Sequence, residues 1–318
     1  MTLFKSKYFK VTVSVILFVI LVLLYSWMNW SVLDPLTEKY NYQYIFNWPD
    51  AMANYFFISN YATQGAFSQL EPLNEILNNA IHPRSVNIVA QNIIPAGFLG
   101  FIILLGWLAK ILSLNYILYL TPIIATLGVF LYFLIIKSIF NKNIAFISAL
   151  LLATLPPYIF FANQTLLATI PFVVCFLAGF YFGINVNRVT TKYQCLFAAL
   201  SALSFGCSVA IRYQEGFWIL GSIVIAALIN RKGIKSKWAI WAFVGFLLPL
   251  ITIITYNYKI YDEWLTVGYL RMDNQNAEIA NRLPAEITTT SDFAVINYLK
   301  LIFLPFGLSV GNIYHNFI

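Results

Sequence analysis

The sequence predicts an all-α polytopic membrane protein, and two observations carry this prediction. First, 60% of the 318 residues are hydrophobic and only 10% are charged, and the mean hydropathy is +0.77. A soluble domain carries roughly 25% charged residues. Second, eight apolar segments approach the roughly 20 residues that a membrane helix needs. We therefore expect a single transmembrane domain over residues 1–318, a bundle of about eight helices.

The eight candidate spans differ in how clearly the sequence delimits them. The first apolar run is longer than the roughly 7–15 residues of a signal peptide's apolar region, so we expect it to be retained in the membrane. The uncharged run 143–187 accommodates two spans, with Pro156 and Pro157, then Asn163 and Gln164, at the turn. The candidate spans are residues 11–30, 116–136, 144–161, 165–185, 194–211, 216–229, 238–258 and 295–310.

The basic residues indicate the orientation of these spans. Short connections at 137–142, 188–192 and 231–237, together with the N-terminal lysines, hold 11 of the 19 basic residues and none of the 12 acids. The positive-inside rule assigns these segments and the N-terminus to the cytoplasm. All acids then lie outside, mostly in the first extracytoplasmic loop, 31–115, and the second, 259–294.

This orientation depends on the apolar stretch 93–112. The basic connections lie on the same side of the membrane as the N-terminus only if this stretch does not cross the bilayer as one full pass. We therefore expect a juxtamembrane or re-entrant segment, docked on the protein because irregular backbone at that depth must be covered. A ninth ordinary crossing is the alternative.

Several function classes lack sequence support. The chain has no phosphate-binding loop, dinucleotide fingerprint, zinc-protease motif or paired-cysteine motif. The net charge of +7 is accounted for by topology, so no nucleic-acid partner is expected. The cysteines behave as small hydrophobic residues within apolar runs and have neither disulfide nor metal spacing: Cys175, Cys195 and Cys207.

Asp50 is the strongest candidate for a chemical role. It lies in the segment WPDAMANYFFISNYATQG, with no basic residue within ten positions. Asn47 suits a helix cap and Pro49 a first turn, so Asp50 is either an anchor at the helix start or a functional base. We expect the helix to be amphipathic, to lie at the membrane surface and to carry Asn54 on the same side as Asp50.

Arginines are candidates for binding a phosphate. Arg84 follows His82 in the first extracytoplasmic loop, and a guanidinium binds phosphate in a bidentate manner. A solvated loop arginine, or one that reaches lipid phosphates, is the alternative for Arg84. His82 is a candidate acid, hydrogen-bond donor or simple loop residue.

Arg212 is the second such candidate. The apolar run after it, 216–229, is 14 residues. At 1.5 Å per residue it reaches about 21 Å, too short for a core of roughly 30 Å unless Arg212 enters the membrane zone. Ionisable groups at that depth usually face a functional cavity. The alternative is a self-neutralising i,i+3 pair of Arg212 with Glu215.

Taken in order, these features resemble a known family. A first span, a loop with an early acid, HPRS…IIPAGFLGFIILLGWLAKIL, LPPYIFFANQ, the junction RY and YNYKIYDEWLTVGY follow one another. This order is similar to the GT-C superfamily of polyprenyl-phosphate-dependent glycosyltransferases, near the protein mannosyltransferases and the lipid A aminoarabinose transferases. The resemblance implies an extracytoplasmic site where an acceptor attacks a sugar carried on a polyprenyl phosphate.

The resemblance also implies roles for individual residues. Asp50 would be the base or an acceptor-binding group, and Arg84 and Arg212 would hold the donor phosphate. Independently of the resemblance, His82 is a further candidate for the phosphate site. Polar residues near these groups are our own candidates for further contacts to donor or acceptor: Asn54, Tyr213, Glu215 and Tyr269. The implied partners are the polyprenyl-phosphate sugar, membrane lipid, and an acceptor lipid, glycan or protein.

The chain departs from the family in two ways. The turn PPYIFFANQTLLATIP lacks the second acid that members often carry, and Ala51 follows Asp50 where other members have paired acids. The sequence indicates no particular cofactor. A divalent metal stays an open alternative, which no second acid supports. The chain stops shortly after LPFG, so we expect a shortened form. A transporter or lipid flippase, or an inactive transferase-like protein, remains the alternative. We expect the location to be a prokaryotic plasma membrane.

Overall fold

The computed structural model describes residues 7–27, 46, 48–76, 85–229, 235–266 and 268–269. All of them belong to a compact unit, Met1–Asp273, while a second unit, Asn274–Ile318, lies outside the described residues. Helices make up most of the described part, which confirms the predicted helical class. A small three-stranded sheet, which the sequence did not predict, accompanies them.

The elements follow one another as a run of helices interrupted by the sheet. The described helices are α1 (Lys7–Ser26), α2 (Pro49–Gln64), α3 (Leu73–Ile76), α4 (Leu99–Leu112), α5 (Ile117–Ile139), α6 (Lys142–Thr154), α7 (Pro156–Asn163), α8 (Thr169–Asn185), α9 (Thr191–Ile211), α10 (Gly216–Ile229) and α11 (Ser236–Tyr261). The strands are β1 (Gln69–Leu70), β2 (Val86–Val89) and β3 (Asn92–Pro95).

Three described helices are long and apolar enough to cross a membrane: Leu114–Ile139, Thr191–Ile211 and Ser236–Tyr261. The pair α6 and α7 would form a fourth span, although it bends by 57°. Each of the seven predicted spans within the described residues coincides with a helix or with this bent pair. The predicted count of about eight crossings is not confirmed, and the candidate span 295–310 lies outside the described residues.

The bend between α6 and α7 has a local cause. A proline disfavours helical backbone in the residue before it and cannot donate the helical hydrogen bond, but it suits the first turn of a new helix. Accordingly, α6 ends at Thr154 and α7 begins at Pro156. The double proline therefore starts a short helix, where the sequence predicted only a turn.

The ambiguous segment 93–112 is divided between a strand and a helix. Its first residues belong to β3, and α4 is 14 residues long, which corresponds to about 21 Å. That length falls short of a hydrocarbon core of roughly 30 Å. The segment thus has the dimensions of a docked helix, and its position in a membrane stays a prediction.

Glycines allow the long helices to pack closely. α9 packs along α11 on one side and along α8 on the other. A Cβ atom at Gly206 of α9 would lie only 2.7 Å from the backbone oxygen of Phe246 on α11. Gly245 of α11 similarly faces the backbone oxygen of Ala199. These two contacts bring the backbones of α9 and α11 together.

The sheet connects segments that are distant in the chain. Its order is β1-β3-β2, with β2 and β3 antiparallel and joined by a two-residue turn at Ala90 and Gln91, both with positive φ. The buried Asn87 donates from Nδ2 to the backbone oxygen of Gly268 at 2.8 Å. The Tyr261 hydroxyl donates to the backbone oxygen of Pro95 at 2.6 Å. The sheet thereby ties the end of α11 to the start of α4.

Candidate functional site

Asp50 lies at the start of α2, as the sequence predicted. Pro49 is the first residue of that helix and Asp50 lies in its first turn, where the positive end of the helix dipole favours a carboxylate. The N-cap residue is Trp48, without a side-chain cap, and Asn47, the predicted cap, lies outside the described residues. Asp50 is half-buried, and its Oδ1 accepts a hydrogen bond from the Ser85 hydroxyl.

Ser85 is a site residue that the sequence reasoning missed. Only 5% of its surface is exposed, and its φ of 67° lies in the left-handed region. For a residue with a Cβ that backbone conformation costs roughly 1–2 kcal/mol. The position immediately follows Arg84 in the chain, but no local pattern connects it with Asp50. The contact depends on how the hairpin docks against α2.

Asn54 lies one turn further along α2 and is buried. Its Nδ2 donates to the backbone oxygen of Leu166, between α7 and α8, at 2.8 Å. Its Oδ1 faces Gly97, where an added Cβ would lie 3.4 Å from that oxygen and 3.7 Å from the Tyr269 hydroxyl. Asn54 and Tyr269 therefore converge above the residue that precedes the N-cap of α4.

Tyr269 lies within electrostatic reach of both charged groups of the site, Asp50 and Arg212. Burial is the main cause that raises the pKa of its hydroxyl, and the charge of Asp50 and the neighbouring Tyr213 raise that pKa further. Arg212 acts in the opposite direction and lowers the pKa. The hydroxyl is consequently protonated at neutral pH.

Arg212 caps the C-terminal end of α9 and packs between two aromatic rings. Its guanidinium carbon lies 5.3 Å from the ring centre of Phe98 and 5.5 Å from that of Phe172. One terminal nitrogen forms a 3.1 Å ion pair with Glu215, and the other donates to the Thr169 hydroxyl at 3.5 Å. The i,i+3 pair that the sequence left open is thus present. Within the described residues the buried Nε has no hydrogen-bond partner.

Phe98 is the apolar residue on which these polar groups pack. Its ring centre lies 5.9 Å from that of Tyr213 and 5.4 Å from that of Tyr269, the latter in an edge-to-face arrangement. Phe98 is the N-cap residue of α4. The start of α4 therefore contacts Tyr213, which follows α9, and Tyr269, which follows α11. As with Ser85, the role of Phe98 could not be deduced from local sequence.

An apolar cleft adjoins the polar cluster. It has a volume of about 290 Å³ and lies between the start of α4, the end of α9 and the C-terminal half of α11. Gly97, Tyr213 and Gly268 belong to its lining, and they also lie at or beside the polar cluster. Asn257 and Thr266 add two further polar side chains. The remaining lining is apolar and includes Val209, Leu250, Ile253, Ile254 and Leu265.

The structure brings together six of the eight predicted site residues: Asp50, Asn54, Arg212, Tyr213, Glu215 and Tyr269. His82 and Arg84 lie outside the described residues, so their predicted roles are untested. Among the described residues, no three His, Cys, Asp or Glu side chains are grouped as metal ligands.

Comparisons with protein-family models, with curated proteins and with solved structures found no match to this chain. The resemblance to the GT-C superfamily consequently stays a prediction from the order of motifs.

Proposed function

We propose that the chain is a membrane glycosyltransferase of the GT-C type. It transfers one sugar, with inversion, from a polyprenyl-phosphate donor to a hydroxyl or amine acceptor on the extracytoplasmic face of a prokaryotic plasma membrane. In this proposal about eight helices cross the bilayer and the N-terminus is cytoplasmic. The supporting observation is geometric. The Tyr269 hydroxyl lies near Asn54, one turn after Asp50 on α2, and the Tyr269 ring contacts Phe98, over which Arg212 packs, next to an apolar cleft.

Asp50 is the proposed base. As the acceptor oxygen or nitrogen bonds to the anomeric carbon, its proton passes to the Asp50 carboxylate. The bond between that carbon and the phosphate oxygen breaks, and the electron pair leaves with the phosphate. The Ser85 hydrogen bond orients the carboxylate, and Tyr269, which is protonated, is available as a hydrogen-bond donor.

Arg212 is the proposed stabiliser of the leaving phosphate. A preorganised cation near developing negative charge is usually the largest single contribution to such catalysis. Its Nε lacks a partner among the described residues, so the guanidinium retains a donor for an anion. His82 and Arg84 would add to this phosphate site. The neighbouring apolar cleft offers a surface for the first part of the donor's hydrocarbon chain.

The decisive experiment supplies purified protein in lipid vesicles with a radiolabelled pool of polyprenyl-phosphate sugars. We expect Asp50→Asn to reduce transfer of label to acceptors by about 10²–10⁴-fold, the usual contribution of a positioned base. Glu75→Gln is the matched control, because Glu75 is an exposed carboxylate in the same loop. That control should transfer label at the parental rate.

Three outcomes would contradict the proposal. Equal transfer by Asp50→Asn and the parent would remove Asp50 as the base. Label that crosses the vesicle membrane without becoming covalently attached would instead indicate a transporter or flippase. Absence of both transfer and transport with every donor in the pool would indicate an inactive transferase-like protein.

A further inference from the structure

A second polar cluster lies on the opposite end of α2 from Asp50. Tyr61 of α2, Tyr256 of α11 and Trp107 of α4 lie close together. Phe67 contacts the rings of both tyrosines, and the ring centres of Trp107 and Tyr256 are 6.2 Å apart. The Trp107 indole nitrogen also donates to the Tyr256 hydroxyl, at 3.3 Å. Three hydrogen-bonding groups from three helices therefore meet at one place.

Phe67 packs against this cluster on its buried side. Its ring stacks on Tyr61 with centres 4.1 Å apart and meets the edge of Tyr256 at 5.7 Å. Phe67 is only 4% exposed, whereas Trp107 is 42% exposed. The cluster thus has a buried inner side and an open outer side. Packing against the buried Phe67 holds the polar groups in place in the absence of a ligand.

Two lysines flank the cluster. The Lys110 ammonium lies 5.6 Å from the Tyr61 ring centre, and the Lys259 ammonium lies 5.5 Å from the Tyr256 ring centre. Both lysines are exposed, and neither forms an ion pair with a carboxylate among the described residues. Two positive charges and several hydrogen-bond donors consequently face the same open region.

The position of Lys259 along α11 suits the membrane surface. α11 has 26 residues, or about 39 Å, against a hydrocarbon core of roughly 30 Å. Because the uncharged stretch 238–258 alone is about 32 Å long, Lys259 at its end lies at the headgroup layer. Trp and Tyr side chains also concentrate at that depth, because their rings are apolar and their N–H or O–H groups are polar.

We propose that this aromatic–lysine cluster, formed by Tyr61, Trp107, Lys110, Tyr256 and Lys259, binds the phosphate headgroup of an anionic phospholipid. The two ammonium groups attract the phosphate, and the hydroxyl and indole groups donate hydrogen bonds to its oxygens. The lipid chains lie along the apolar surface of α11. The cluster shares no residue with the site around Asp50, so the proposal is independent of the glycosyltransferase function.

Lipid at this cluster would have a consequence for α2. The helix carries Asp50 in its first turn and Tyr61 in its last, so a bound headgroup fastens α2 to α4 and α11. The membrane lipid would then help to hold the first extracytoplasmic loop in place.

The test measures binding of phosphatidylglycerol to the purified full chain by native mass spectrometry, with phosphatidylcholine and inorganic phosphate as comparisons. We expect the double variant Lys110→Gln and Lys259→Gln to bind phosphatidylglycerol about 30-fold more weakly, from the usual contribution of two lysines near a membrane surface. The charge-retaining variant Lys110→Arg and Lys259→Arg should bind within about threefold of the parent.

The matched control is the double variant Lys142→Gln and Lys192→Gln. It removes the same charge from two other exposed lysines, and Lys192 also lies over a tyrosine ring, Tyr193, at 5.7 Å. This control should bind as the parent does. Equal affinity in the Lys110 and Lys259 glutamine variant would overturn the proposal. So would equal binding of phosphatidylcholine, or displacement of the lipid by millimolar inorganic phosphate.

Discussion

At the residue scale, the geometry of Asp50 depends on a hydroxyl that lies 35 positions away in the chain. Ser85 reaches the carboxylate from a left-handed backbone conformation that glycine adopts more easily than serine. The Cβ atom of Ser85 makes this conformation unfavourable, and the hydrogen bond to a charged group offsets that cost, since such bonds contribute about 1.5–3 kcal/mol. Mutation of Ser85 can separate the effect of its hydroxyl from the effect of its backbone conformation.

We predict that Ser85→Ala and Ser85→Gly both lower the transfer rate, because both remove the donor that orients Asp50. The alanine variant should also lower the free energy of unfolding by about 1–3 kcal/mol. In the glycine variant, relief of the left-handed conformation should recover about 1–2 kcal/mol of that loss. Initial rates and thermal melting in detergent micelles measure the two effects. Parental rates in both variants would show that Ser85 does not position the base.

The candidate site was predictable only as a set of separate groups. Asp50 and Arg212 stood out because ionisable residues are rare in this chain and expensive near a membrane. Ser85, Phe98 and Phe172 are ordinary residues that acquire a role through tertiary contacts. No period or spacing in the sequence encodes those contacts, so local reasoning could not identify them.

At the element scale, the long helices were predictable and the hairpin was not. Apolar runs mark helices because a membrane-length segment must satisfy its own backbone hydrogen bonds. The strands β2 and β3 have four residues each, and their turn, Ala90-Gln91, lacks the asparagine or glycine that usually signals such a hairpin. The apolar sequence of β3 also merges with that of α4, so the sequence shows no boundary between strand and helix within the segment 93–112.

The close packing of α9 and α11 supports a second prediction. Gly206→Ala should destabilise the protein by about 1–3 kcal/mol, because the added methyl group clashes with the backbone of α11. Gly221→Ala on α10 is the control, since no atom lies within 4 Å of its added Cβ. That change should be neutral or stabilise by up to about 1 kcal/mol. Thermal melting in micelles distinguishes them, and equal melting temperatures would contradict the packing described for Gly206.

At the scale of the whole molecule, two of the basic connections lie on the same side of the helices. The Arg188 guanidinium, which follows α8, donates to the backbone oxygen of Ser138 near the end of α5 at 2.8 Å. This contact agrees with the parity that the positive-inside rule assigns to the segments 137–142 and 188–192. Whether they share the side of the N-terminus depends on the segment 93–112.

A cysteine at position 138 therefore tests the topology as a whole. In a background in which Cys175, Cys195 and Cys207 are replaced by alanine, we expect Ser138→Cys to resist a membrane-impermeant thiol reagent in intact cells. The same cysteine should react after the membrane is permeabilised, which controls for the partial burial of Ser138. Glu75→Cys, at an exposed position in the predicted extracytoplasmic loop, should react in intact cells. Rapid labelling of both cysteines in intact cells would mean that residues 93–112 cross the bilayer once. The connection at 137–142 would then be extracytoplasmic, contrary to the positive-inside rule.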